Sequence, residues 1–300
     1  MSKIWLTIGL VVGFGFWAGA QNPSPDELRQ LQRYEDSLGV LAYMIINDSL
    51  ELNRFAAVKA FIPKFVKALK IRHSFYYPFK QLQPYISILY PPDSSFRVIT
   101  WQVAGDADFR NFGTIQMRAD TLHMFPLIDR SETYPYPQVE HVELPPKQWF
   151  GAIYYRLMPV KRRRTTRYLL FGFDNYTPTT RRKVLDVLTF KDGKPLFGAP
   201  IIDFPEKGET KHRLVLEYYS GSSVSLNYDA SRGIIIYDHL IITRDRDGAP
   251  LSVPDGSYEG FEIKRGRLKH IDKVFHEKQN EPPRPHPVLN DNKDILGRPN

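Results

Sequence analysis

Between Tyr85 and Lys273 the apolar and aromatic residues fall at alternate positions in short runs, and each run ends in glycine, proline, asparagine, aspartate or serine. Successive side chains on a strand point to opposite faces, so a period of two admits strands and argues against amphipathic helix. The runs predict strands near 85–89, 96–103, 113–118, 121–125, 150–157, 167–174, 183–190 and 201–204, then 213–219, 223–228, 233–240, 258–264 and 267–273. Turn chemistry joins several of them into hairpins: Asp192-Gly193 within Lys191–Lys194, the Gly turn at Ser220-Gly221-Ser222, and Arg265-Gly266. Many strands with short turns and few intervening helices form antiparallel sheets. A sandwich or an open barrel fits this pattern. A small propeller fits less well, because no blade-like repeat is visible.

Upstream the period is helical. Ser24-Pro25-Asp26-Glu27 has a cap, a proline suited to the first helical position and a glutamate that completes a capping box. Leu28, Leu31, Tyr34, Leu38, Leu41 and Ile45 then recur at three- and four-residue spacing. Asn47-Asp48-Ser49 breaks this helix. A second one is predicted over about 50–69, with Leu52, Phe55, Ala56, Phe61, Phe65 and Leu69 on its apolar side, lysines on the other, and a kink or interruption at Pro63. The fold class expected is therefore α+β: a helical hairpin over 21–80 and a mainly antiparallel β domain over 81–276.

The first 20 residues have the three parts of an export signal: Lys3, the uncharged apolar run Ile4 to Trp17, and the small residues Ala18-Gly19-Ala20. Cleavage is expected before Gln21. The apolar run is short against the roughly 20 residues that span a bilayer, and no other segment is long and apolar enough, so no transmembrane span is expected in the mature chain. The sequence has no cysteine, which removes a lipidated cysteine, disulfides, thiolate metal sites and a cysteine nucleophile together. An exported chain of this length buries enough core to fold without disulfides. The expected location is the periplasm or cell surface of a Gram-negative bacterium. The polar, proline-rich segment 277–300 is read as a disordered tail, and 131–147 as a long loop.

The densest charge cluster is Lys161-Arg162-Arg163-Arg164, with Arg167 close behind, at an expected hairpin tip. Such a tip either is a solvated turn that discourages edge pairing or docks to a polyanion. Arg181-Arg182-Lys183 and Lys264-Arg265-Arg267-Lys269 also lie near turns, and convergence of the three groups would make an anion-binding face. No aromatic stacking platform is interleaved with them, so specific nucleic-acid binding is not expected. Asp245-Arg246-Asp247-Gly248 and Gly105-Asp106-Ala107-Asp108 resemble fragments of a calcium loop but lack its full oxygen spacing, and plain turns are expected. Ser222, Ser223, Asp238 and His239 are the residue types of a hydrolase set. There is no G-x-S-x-G elbow, and Asp238 and His239, as strand neighbours, should diverge. Glu217 and Asp229 are conceivable as a carboxylate pair. The eight histidines show no ligand spacing, so neither metal nor cofactor is expected. The tyrosine pairs Tyr154-Tyr155 and Tyr218-Tyr219 are read as core on one face and amphipathic surface on the other.

At 168–174 (YLLFGFD), 182–190 (RKVLDVLTF), 193–200 (GKPLFGAP) and 235–240 (IIYDHL) the chain resembles a group of exported proteins of Gram-negative bacteria that carry no assigned activity. The resemblance covers roughly the second half. It implies an envelope location and a β-rich domain behind a signal peptide, and it supplies no catalytic residue. The function expected is a non-enzymatic envelope protein that binds another protein or a surface glycan. The alternatives are an exported hydrolase acting on glycans or peptides, and attachment to an anionic surface through the basic hairpin tips.

Overall fold

The computed structural model describes residues 22–275 except Arg246, so the export signal and the tail predicted over 277–300 lie outside the described residues. Helix α1 spans Pro25–Asn47 and α2 spans Glu51–Leu69. The capping box forms as expected: Ser24 Oγ accepts from the Glu27 N–H, and Glu27 accepts from the Ser24 N–H. Pro63 does not interrupt α2. The proline is exposed, so the backbone groups it disturbs face water. Val58, Phe61, Phe65, Ala68 and Leu69 are buried. At roughly 1.5–3 kcal/mol for each large apolar side chain, that burial outweighs the ~3 kcal/mol that an interior proline costs.

Fifteen strands follow: β1 Ser87–Leu89, β2 Phe96–Ala104, β3 Phe109–Met117, β4 Met124–Ile128, β5 Ile153–Arg162, β6 Thr165–Asp174, β7 Thr180–Lys191, β8 Lys194–Phe197, β9 Ile202–Phe204, β10 Glu209–Lys211, β11 Leu214–Tyr219, β12 Leu226–Asp229, β13 Ile234–Arg244, β14 Pro250–Lys264 and β15 Arg267–Ile271. They form three sheets. The first has the order β1-β2-β3-β4, the second β11-β7-β6-β5 with β8 on β7, and the third β10-β9-β15-β14-β13-β12. Among the described residues all strand pairings are antiparallel except β15 with β9. No sheet closes into a barrel, and the architecture is α+β.

Alternation along the strands explains how the sheets stack. On β2, Ile99, Trp101 and Val103 pack under the helical hairpin, whereas Phe96 and Val98 face the second sheet. On β6, Leu170 faces the first sheet, whereas Leu169 and Phe171 face the third sheet with Leu185, Val187 and Leu216. The third sheet answers with Ile235, Tyr237, Phe261 and Leu268. The order of layers is thus helices, first sheet, second sheet, third sheet. The middle two sheets are covered on both faces.

Residues 131–147 are more ordered than a simple loop. They carry short 3-10 turns at Ser131–Thr133 and Gln138–His141, with a third at Pro146–Gln148. Two buried polar residues pin the segment to the second and third sheets. Glu140 accepts from Lys211 Nζ at 2.6 Å and from the Val215 N–H at 2.8 Å. Arg213 donates to the Val139 and Val142 carbonyls and, at 3.2 Å, to Asp186.

Candidate anion-binding groove

Three two-residue hairpin turns fall at one end of the stacked second and third sheets. Register places Arg163-Arg164 between β5 and β6, Asp192-Gly193 between β7 and β8, and Arg265-Gly266 between β14 and β15. Arg265 (φ 50°) and Gly266 (φ 76°) both have the positive φ that a type I′ turn requires. Gly266 is demanded twice over. A Cβ there would sit 2.5 Å from Arg162 Cβ and 3.0 Å from the Lys161 carbonyl oxygen. The β14–β15 turn is therefore pressed directly against the end of the β5–β6 hairpin.

This contact brings together two of the three basic groups seen in the sequence. Arg162, Lys264, Arg265, Arg267 and Lys269 line a depression of about 500 Å³. Its wall is mostly the carbon stems of these side chains. Arg267 is held in place by a bidentate pair with Asp203, which Thr210 supports by a 2.9 Å hydrogen bond. That pairing raises the Arg267 pKa and lowers that of Asp203. Lys264 pairs with Glu262 at 2.6 Å. Among the described residues no carboxylate lies within ion-pair reach of Lys161, Arg162, Arg163, Arg164, Arg167, Arg265 or Lys269. Arg167 stands beside the groove with a buried Nη1 that makes no hydrogen bond. Burial, followed by the charges of Arg162 and Arg267, pushes its pKa down. A group whose protonated form is penalised by neighbouring cations marks a field that an anion would relieve.

The third basic group is elsewhere. Arg181, Arg182 and Lys183 lie at the opposite end of β7, and Arg182 is buried. Its Nε donates to Glu217 at 2.9 Å, and its guanidinium stacks on Tyr176 with 3.2 Å to the ring centroid. Asp174 lies 3.9 Å from Arg182 Nη1. Gln102 and Asn111 side chains and the Tyr176 N–H all donate to Asp174 Oδ1. Burial raises the Asp174 pKa to about 6 against these hydrogen bonds.

The hydrolase residues are not brought together. Glu217 is spent on Arg182, and Asp229 caps its own turn through Ser231 and Arg232. Asp238 accepts from the Ser225 N–H and Oγ. His239 lies 3.0 Å from Asp255 and 3.6 Å from Glu259. The Asp245 carboxylate accepts from the Asp247 and Ala249 N–H groups, which makes this a hairpin tip, and Gly105 to Asp108 is a turn closed by a 2.7 Å backbone bond. Among the described residues no group of three or more histidines and carboxylates is arranged to hold a metal ion.

Sequence reasoning missed one further cluster. His270, whose side chain is 3% exposed, lies 2.8 Å from Glu206 and 3.0 Å from Glu259, and Tyr237 donates to Glu259 at 2.7 Å. Adding His239 and Asp255 makes a row of alternating carboxylates and imidazoles across β15, β14 and β13. The signal that could have found it is register, since Tyr237 faces Glu259 and Phe261 faces His270. Comparison of the chain with protein-family models, with curated proteins and with solved structures finds no match.

Proposed function

We propose that the protein is a non-enzymatic binding module of the bacterial envelope that attaches to an anionic partner through the groove between the β5–β6 and β14–β15 turns. The observation that carries this reading is the convergence on one depression of cations from two turns about a hundred residues apart in the chain, most of them without a carboxylate partner. Like charges gathered this closely repel one another, and they are tolerated where an anion offsets the repulsion. Arginine forks match the geometry of phosphate and carboxylate oxygens, so the groove suits a multivalent anion. The export signal read in the sequence supports a mature chain that works outside the cytoplasm.

The test is binding of a fluorescently labelled polyphosphate to the purified protein. Arg162→Gln with Arg265→Gln is compared with Lys59→Gln and Lys67→Gln, an equal loss of charge on α2. Strong loss of binding in the groove variant alone supports the reading. Equal loss in both variants, or no binding by the native protein, would overturn it.

A further inference from the structure

The groove has more to it than charge. Its volume of about 500 Å³ falls within the roughly 300–1,000 Å³ range of small-ligand sites, so it can seat a discrete group. The lining is chiefly carbon, and the charged heads of the same side chains stand around it. A fully hydrated polyanion gains nothing from such a wall, whereas a ligand with an anionic head and an apolar body does. The surroundings add a second feature. Lys161, Arg163 and Arg164 are exposed on the β5–β6 turn, and register places Lys191 and Lys194 on the adjoining β7–β8 turn. Register places the β12–β13 turn at the same end of the third sheet, where Arg232 is paired with Asp229 at 2.7 Å, and Asp192 is the exposed carboxylate between Lys191 and Lys194, so the cations are in excess there. This end of the sandwich therefore carries a field of exposed cations around one carbon-walled depression, an arrangement complementary to a flat anionic surface.

We infer that the basic end docks on an anionic membrane leaflet and that the groove seats the phosphate-bearing headgroup of one lipid. Arg162 and Arg265 close on the phosphate from opposite turns, while Arg267 is held in place by Asp203. The stems of Lys264 and Lys269 flank the glycerol portion. This inference rests on the anion-binding reading above and narrows its ligand to a lipid phosphate.

The experiment is sedimentation of the purified protein with vesicles of phosphatidylglycerol or phosphatidylcholine. In parallel, calorimetry compares monomeric dihexanoyl phosphatidylglycerol with glycerol 3-phosphate. The expected result is binding to phosphatidylglycerol vesicles only, and tighter binding of the short-chain lipid than of glycerol 3-phosphate. Each cation at such a surface contributes about fivefold in partitioning, so Arg162→Gln with Arg265→Gln should weaken vesicle binding about 25-fold. Lys59→Gln with Lys67→Gln should change it less than twofold. Binding of polyphosphate without binding of either lipid form would overturn the lipid inference and leave the anion-binding reading standing. Failure to bind lipid and polyphosphate alike would overturn both. Equal effects of the two double variants would also overturn the groove as the seat.

Discussion

Asp174 gives the sharpest link between this structure and a measurement. Its side chain is 1% exposed, and burial raises its pKa from the ordinary aspartate range to about 6. The folded protein therefore binds a proton between pH 6 and pH 4 that the unfolded chain does not. Stability from this group is fully present below about pH 4 and is lost as the pH rises through 6. Two units at about 1.4 kcal/mol each amount to about 3 kcal/mol. Asp174→Asn removes the titration while leaving an Oδ1 acceptor for Gln102, Asn111 and the Tyr176 N–H. Urea unfolding can be followed through Trp101 and Trp149, both buried. The stability difference, variant minus native, should be more positive at pH 7 than at pH 4 by about 3 kcal/mol. Taking the difference cancels the opposite trend from groups such as Asp203 and Glu259, whose pKa values are lowered and whose stabilisation fades in acid. A difference that does not change with pH, or that is larger at pH 4, would refute the assignment of Asp174 as a penalised buried carboxylate.

Other outcomes follow from single contacts. Gly266→Ala should cost about 1–2 kcal/mol from its left-handed φ alone, and more from the contact with Arg162 and Lys161, and it should weaken polyphosphate binding by prising the two turns apart; denaturant midpoints and the binding assay check both. Asp186→Asn should lower stability by about 3–5 kcal/mol, because Asp186 and Arg213 are both fully buried and the guanidinium would lose the carboxylate it pairs with; urea unfolding measures it. N-terminal sequencing of the protein recovered outside the cytoplasm should begin at Gln21, and an intact Met1 there would contradict cleavage at Ala20.

What the sequence made legible was whatever depends on local pattern. The capping box at Ser24 and Glu27, the two helices, most strands and the Arg265-Gly266 turn all follow from residue spacing and turn chemistry. β8 and β10 were not anticipated: at four and three residues they show no alternation of their own, whereas the equally short β1 and β9 lie inside longer apolar runs. The interruption offered for Pro63 does not occur, because the local cost of a proline says nothing of the apolar face that the helix buries elsewhere. The groove was only half legible. Its residues stood out as two basic clusters, but they meet through the packing of the third sheet on the second, which no local pattern encodes. The third cluster shows the same limit from the other side: Arg182 looks like a surface cation in sequence and is buried between Tyr176, Phe150 and Glu217.

The most direct test of the central claim, that the converged turns form an anion site, is the salt dependence of polyphosphate binding. Log K should fall linearly with log salt concentration, and Arg162→Gln with Arg265→Gln should make the slope shallower by about 1.5, as expected for two lost phosphate contacts. A slope near zero in the native protein, or one left unchanged by the two substitutions, would contradict it.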